Sequence, residues 1–155
     1  SDKSCLIVDP GDDEELIDKY IVNESLKPLA ILITHYHQDH TGALEYFKDK
    51  YKLKVIDYKS NIIQKIGKFR FKIIFTYGHT DDSVSYYFEK KKILFTGDFL
   101  FKGSIGRYDF ENSDLNEMQK SIKKIKTFDK TIKVYPGHGD ITTLNNEFAK
   151  NIYLK

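Results

Sequence analysis

Three histidines stand within six residues of one another, in the run Thr34-His35-Tyr36-His37-Gln38-Asp39-His40. His79 lies in Tyr77-Gly78-His79-Thr80 and His138 in Pro136-Gly137-His138-Gly139, and these five are all the histidines of the 155-residue chain. A single histidine is most often structural. Five spent in this way, with none left for ordinary positions, point to imidazole as a metal ligand. Alternate residues of an extended segment face the same way, so His35 and His37 can clasp one ion while Asp39 and His40 face a second. His79 and His138 add imidazoles from glycine-flanked turns, where a missing side chain next door permits close approach. Asp98, after Gly97, could simply cap a turn, but beside the histidines its two carboxylate oxygens can bridge both ions. Every candidate donor is nitrogen or oxygen, which suits two divalent ions, zinc foremost, with iron or manganese also fitting.

Such a site would do hydrolysis. A bound ion can lower the pKa of water from about 15.7 to about 7, a shift worth roughly 12 kcal/mol at about 1.36 kcal/mol per unit. A positioned general base offers only about 10²–10⁴-fold, roughly 3–5 kcal/mol. The ions therefore dominate, and no serine or cysteine nucleophile is needed. Asp39, besides ligating, is the candidate catalytic residue that orients the attacking water. Arg107 and Asp109 are expected to brace a loop as an ion pair. Lys102 and Tyr36 lie near the expected mouth, and Asp9 reads as a strand-end turn residue or an outer support.

The elements that must gather these residues alternate between strands and helices. Cys5–Asp9 reads as a short buried strand stopped by Pro10-Gly11. The acidic run Asp12–Glu15 opens a helix with Leu16, Ile17, Tyr20 and Ile21 on one face. Leu29–Thr34 is an apolar strand buried on both faces, as parallel strands are. A helix from about Gly42 groups Ala43, Leu44 and Phe47. Val55-Ile56 is a short strand. Phe69, Phe71, Ile73 and Phe75 alternate with polar residues as a half-buried strand does. Val84–Phe88 and Ile93–Thr96 form a hairpin across Lys90–Lys92. Leu115, Met118, Ile122 and Ile125 stripe a helix, Val134-Tyr135 is a strand, and Thr142–Leu154 a last helix. The candidate ligands follow strand ends, where layered α/β folds carry sites.

The chain is long enough for one domain, residues 1–155, with its own core. With 25 basic against 23 acidic residues, its charge is too balanced to argue for nucleic acid or a membrane as partner. Lys120, Lys123, Lys124, Lys126, Lys130 and Lys133 read as a solvated helix face. The single cysteine, Cys5, excludes an intrachain disulfide and a thiolate metal site and reads as a buried small hydrophobe. There is no apolar run of about 18 residues, so a cytoplasmic location is the expectation. The chain does not begin with Met, and native residues before Ser1 are expected.

His35-Tyr36-His37-Gln38-Asp39-His40 resembles the H-x-H-x-D-H signature of the metallo-β-lactamase superfamily. Gly78-His79-Thr80 with Ser83, Phe95-Thr96-Gly97-Asp98, Gly106-Arg107 with Asp109, and Tyr135-Pro136-Gly137-His138-Gly139 are similar to its further blocks, in order. The likeness is greatest to single-domain, glyoxalase II-like hydrolases, and runs from Leu6 nearly to the C-terminus. It implies an αββα four-layer sandwich. One metal would sit on His35, His37, His79 and Asp98, and the other on Asp39, His40, His138 and Asp98. It further implies hydrolysis of small acyl thioesters or esters. Two expectations follow from departures: N-terminal edge strands usual in the family are lacking, and another copy of the chain could complete the domain as a homo-oligomer. The helical domain that grips glutathione in two-domain relatives would lie beyond Lys155, so the resemblance does not extend to glutathione specificity. The alternatives are a mononuclear iron persulfide dioxygenase and a metal-binding but inactive domain. The bridging acid at Asp98 argues against a β-lactamase.

Overall fold

The computed structural model describes residues 2–155. Strands β1 (Ser4–Val8), β2 (Lys27–Leu32) and β3 (Lys54–Ile56) make a three-stranded parallel sheet in that order. A second sheet of six strands has the order β11 (Thr142–Thr143), β10 (Lys133–Pro136), β7 (Ile93–Gly97), β6 (Val84–Phe88), β5 (Phe69–Phe75), β4 (Ile63–Ile66). A two-stranded ribbon, β8 (Leu100–Phe101) with β9 (Ser104–Ile105), stands apart from both.

Three apolar clusters define four layers. Helix α1 (Glu14–Asn23) and helix α3 (Leu44–Tyr51) cover the outer face of the small sheet, where Ile21, Leu44 and Phe47 meet Ile7, Ile31 and Ile33. The next residues along β2 point the other way. Ala30 and Leu32 pack between the sheets with Phe71, Ile73, Val84 and Tyr86. Helix α4 (Leu115–Ile125) and helix α5 (Leu144–Lys150) cover the far side, where Met118, Ile122, Ile125 and Leu144 rest on Leu94 and Val134. The expected αββα sandwich is therefore present. Its layering follows from the unbroken apolar run Leu29–Ile33, which covers most of β2 and the residue after it.

Several element expectations need correction. A one-turn helix α2 (Gln38–Thr41) precedes α3, so the histidine run itself starts to coil. Leu16 and Tyr20 are exposed, and α1 holds on through Ile21 and Ile17. Leu115 is likewise exposed at the start of α4. Cys5 is only half-buried because β1 pairs on one side alone. The helix expected over Thr142–Leu154 is instead β11, then α5 capped by the Thr143 hydroxyl, then a 3₁₀ turn over Ile152–Leu154. Lys133 lies in β10 and Lys130 in the preceding turn, so the lysine face of α4 is shorter than expected. β4 and the β8–β9 ribbon escaped the apolar pattern because their alternation is weak.

Direction of the strands gathers the site. β10 runs parallel to β7, whereas β5 and β7 both run antiparallel to β6. The C-terminal ends of β5, β7 and β10 thus share one sheet edge. The end of β2 is stitched to the same edge, since Val84 N donates to Thr34 O at 2.8 Å. Tyr86, fully buried, adds a second stitch: its hydroxyl lies 2.6 Å from the carbonyl oxygens of both Ile33 and Ile56. Ile56 O also accepts from Ile33 N. Tyr86→Phe is therefore expected to orphan Ile33 O and cost about 1–3 kcal/mol. Urea unfolding monitored by circular dichroism checks this.

Candidate metal centre

Asp9, in the left-handed region at the end of β1, organises the loop that follows β2. Its Oδ1 accepts from Thr34 N at 2.7 Å and its Oδ2 from the Thr34 hydroxyl at 2.6 Å. Oδ2 also lies 3.0 Å from His40 Nδ1. With Nδ1–H turned to Asp9, His40 presents Nε2 to the site. His79 is fixed in the same sense, because its Nδ1 lies 2.8 Å from the Arg107 carbonyl, which can only accept. His35 Nδ1 is 3.1 Å from the Thr34 hydroxyl oxygen, whose own proton goes to Asp9. Nδ1 of His35 therefore donates, and Nε2 keeps its lone pair. Outer partners of this kind set tautomer and ring orientation in metal sites.

The lone pairs so released converge. His37 Nδ1 lies 3.1 Å from both His35 Nε2 and His79 Nε2. One ring nitrogen facing two acceptors has at most one proton to offer. Donors about 2.0–2.1 Å from a tetrahedral ion stand about 3.3 Å apart, so the three nitrogens fit a single cation. Beside them, His40 Nε2 lies 3.3 Å from His138 Nε2, and His138 Nε2 lies 3.1 Å from Asp39 Oδ2. Asp98 stands between the two groups. Its Oδ1 is 3.3 Å from His40 Nε2, and its Oδ2 is 3.7 Å from His79 Nε2 and 3.6 Å from His138 Nε2. Three overlapping sets can each hold an ion: His35, His37 and His79; His35, His40 and Asp98; Asp39, His40 and His138. Oδ1 of Asp98 is buried and has no hydrogen-bond partner, so the donor set fits a divalent cation. Gly137 makes room for it, since a Cβ there would collide with Asp98 Oδ1 and with the His40 ring.

The two ends of this row differ electrostatically. Burial pushes His35 down to about 3, helped by the charge of His40. Burial also lowers His79. Burial works against a charge on His40 too, but Asp9 and Asp98 on either side outweigh it and raise His40 to about 10. Asp98 is held below the usual carboxylate range. Its burial opposes ionisation, and the charge of His40, whose Nε2 lies 3.3 Å from Oδ1, overcomes it. Without an ion, His40 is thus the resident cation of the site. The side chains of Asp39 and His138 are 59% and 54% exposed, against 4% or less for those of His40 and His79, so one end of the row is open to a substrate.

A profile of the Metallo-beta-lactamase superfamily matches residues 1–61 and 63–138. The chain belongs to that superfamily. It is 33% identical to a probable metallo-hydrolase, YqgX of Bacillus subtilis, over 99% of this chain and 89% of that protein. It is 36% identical to a hydroxyacylglutathione hydrolase of Francisella philomiragia over 96% of this chain, but spans only 63% of that enzyme's length. Among solved structures, the BLEG-1 B3 metallo-beta-lactamase superposes with a TM-score of 0.95 at 33% identity, covering 99% of this chain and 90% of that one. TTHA1623, crystallised in a di-iron-bound form, superposes with a TM-score of 0.87 at 29% identity, over 95% and 88%.

In this superfamily member all seven side chains singled out from the sequence meet in one row. Asp9 stands behind them as an outer support. Arg107 and Asp109 do pair, at 2.9 and 3.0 Å, and the guanidinium lies 4.4 Å from the centre of the Phe110 ring. Lys102 is held by Asp140 at 2.8 Å and Tyr36 by Asp57 at 2.7 Å. Two contributors were not foreseen. Phe110 stands edge-on to His37 and His79, with ring centres 5.7 and 5.6 Å away. The Arg107 carbonyl is backbone and leaves no residue-type signal.

Protons must leave His40 before its Nε2 can take an ion, whereas burial already shifts His35 and His79 toward the neutral form. Proton competition at a group titrating near 10 acts throughout the range below it and fades only above it. Lowering the pH from 8 to 6 is expected to weaken binding at Asp39, His40 and His138 at least about tenfold more than at His35, His37 and His79, at up to tenfold per unit per proton displaced. Competition titrations of Zn²⁺ against a chromophoric chelator at both pH values check this; equal weakening of both would contradict it.

Proposed function

We propose that this chain is a metal-dependent hydrolase of small acyl thioesters or esters, glyoxalase II-like in reaction, holding two divalent ions, zinc foremost. The observation that carries the reading is the central position of Asp98, whose Oδ2 lies 3.7 Å from His79 Nε2 and 3.6 Å from His138 Nε2, at opposite ends of the ligand row, while its Oδ1 lies 3.3 Å from His40 Nε2. The hydroxyacylglutathione hydrolase among its relatives supports the reaction class. The di-iron form of TTHA1623 supports a two-ion site that accepts iron as well.

Ions bound there would lower the pKa of water and polarise the substrate carbonyl. The chain's own residues would do the rest. Asp39, at the open end, is oriented by His138 and positions the attacking water with its second oxygen. Water adds to the thioester carbonyl, the C–S bond breaks, and the thiol leaves with the proton. Phe110 shields His37 and His79, so water reaches the carbonyl mainly from the open end. Tyr36, next to His35 and His37 in sequence, is held by Asp57 and stands edge-on to Tyr58 at 6.4 Å.

A second reading is favoured by one observation, the superposition on a B3 metallo-beta-lactamase. Hydrolysis of a β-lactam amide would use the same kind of metal-activated water, although the acid at Asp98 argues against it. Purified protein should be assayed for metal content and then against a panel of acyl thioesters, carboxyl esters and a chromogenic cephalosporin. Thioester turnover that is lost on chelation and restored by Zn²⁺ is expected; turnover of the cephalosporin alone would assign the second reading, and turnover of none would reject both. Asp98→Ala is expected to lose bound metal and thioester turnover together. The loss should exceed the about 10–100-fold typical of outer supports. A variant keeping two ions per chain and full rate would refute the bridge.

A further inference from the structure

Glu147 is the one carboxylate of the described residues that is fully buried yet lies outside the ligand row. It sits in α5 and accepts four hydrogen bonds. Oε1 takes the Thr142 hydroxyl at 2.6 Å and Asn146 Nδ2 at 2.9 Å. Oε2 takes Gly103 N at 2.7 Å and Asn151 Nδ2 at 3.0 Å. Asn151, also fully buried, donates through the same Nδ2 to Ser104 O at 3.0 Å. Burial would raise the carboxyl, but the Thr142 and Gly103 bonds and the two amides outweigh it and hold Glu147 below its ordinary range. An anion satisfied so fully is rigid.

What it grips is the turn of the β8–β9 ribbon, at Gly103 and Ser104. A ribbon of two residues per strand, paired to neither main sheet, cannot hold its own shape. Its two ends are nonetheless both at the metal centre. Asp98 stands just before β8. Gly106 and Arg107 follow β9, and the Arg107 carbonyl fixes the tautomer of His79. Gly106 packs so closely on the Asp98 backbone that a Cβ there would collide with its carbonyl oxygen, and that Cβ would lie 3.2 Å from His79 Cγ. Phe101, on β8, has its ring centre 6.2 Å from that of His138.

We infer that Glu147, with Asn151, is a positioning residue of the metal centre: by clamping the ribbon turn it sets the Arg107 carbonyl and thereby the orientation and tautomer of His79. The inference rests on reading the ligand row as a metal site. An alternative role, plain support of α5 against the large sheet, would run through Oε1 and Thr142 rather than through Oε2 and the ribbon. The two oxygens thus separate the two roles.

Two readouts test this in the full chain. Glu147→Gln is compared with Thr142→Val, which removes an Oε1 donor and leaves the ribbon clamp whole. In zinc competition titrations Glu147→Gln should lose about tenfold in affinity, within the range for outer partners of metal ligands. Thr142→Val should stay within about twofold even where thermal unfolding shows it equally destabilised. In ¹⁵N-edited NMR of the metal-free chain, the His79 Nδ1–H signal should be present in the wild type and Thr142→Val, and lost or shifted in Glu147→Gln. Unchanged affinity and an unchanged His79 signal in Glu147→Gln would overturn the inference, as would equal loss in Thr142→Val. Should Glu147→Gln not fold, Asn151→Ala opens the same clamp and is read in the same way. If the wild type binds no zinc, the metal reading fails, while the NMR comparison still decides the role of Glu147.

Discussion

Burying a carboxylate oxygen without a donor costs about 1–3 kcal/mol or more, since the group has given up water and received nothing. Asp98 Oδ1 accepts no hydrogen bond, and only the charge of His40, 3.3 Å away, offsets that loss. His35 and His79 turn lone pairs, not protons, toward the same space, and His40 alone supplies a positive charge. Left to itself such a cluster would relax apart. It is kept together by glycines that leave no room for anything else and by outer partners that hold each ring in one tautomer. A divalent cation resolves every one of these conflicts at once, which is why the cluster reads as a metal centre and not as a hydrogen-bond network.

The constraint reaches through both sheets. His40 takes its orientation from Asp9 at the end of the small sheet. His79 takes its own from the Arg107 carbonyl, beyond the large one. Neither orientation survives unless the sheets stay in register, and two of the contacts that hold the register, Tyr86 OH to Ile33 O and Val84 N to Thr34 O, end one or two residues before His35. Stability and metal affinity are therefore coupled through the same few bonds. The inter-sheet core of Leu32, Phe71, Ile73 and Val84 does chemistry indirectly, by fixing where β2 stops.

Much of this was legible in the sequence because it lay in side chains of unusual type. Histidine is rare, so five in glycine-flanked or tightly spaced positions announced the ligand row, and the unbroken apolar run from Leu29 to Ile33 announced a strand covered on both faces. What escaped falls into two physical kinds. Backbone acceptors such as the Arg107 carbonyl have no residue identity to read. Groups whose role depends on burial look ordinary until the fold buries them. Glu147 sits in Thr142-Thr143-Leu144-Asn145-Asn146-Glu147, a stretch polar enough to pass for a solvated helix, and the same polarity hid the break between β11 and α5. Leu16 and Tyr20 erred in the opposite direction: their spacing suits a buried face, but α3 reaches only as far as Ile17 and Ile21.

The ligand row alone does not choose a reaction. A hydroxyacylglutathione hydrolase and a B3 metallo-beta-lactamase are similar to this chain to about the same degree, as expected when one fold carries several chemistries. Discrimination must then come from the rim. There Lys102 and Arg107 are each matched by an acid, Asp140 and Asp109, in exposed pairs. Exposed pairs contribute only about 0–1 kcal/mol, so a substrate anion could exchange for either acid at little cost, and neither pair forms a rigid selectivity element. The aromatic groups are different. Phe110 is held between the Arg107 guanidinium and two ligand imidazoles, and Tyr36 between Asp57 and Tyr58. Phe110 cannot move without disturbing two ligand imidazoles, so an apolar ring packed on the centre is a firmer element of selectivity than either exposed ion pair.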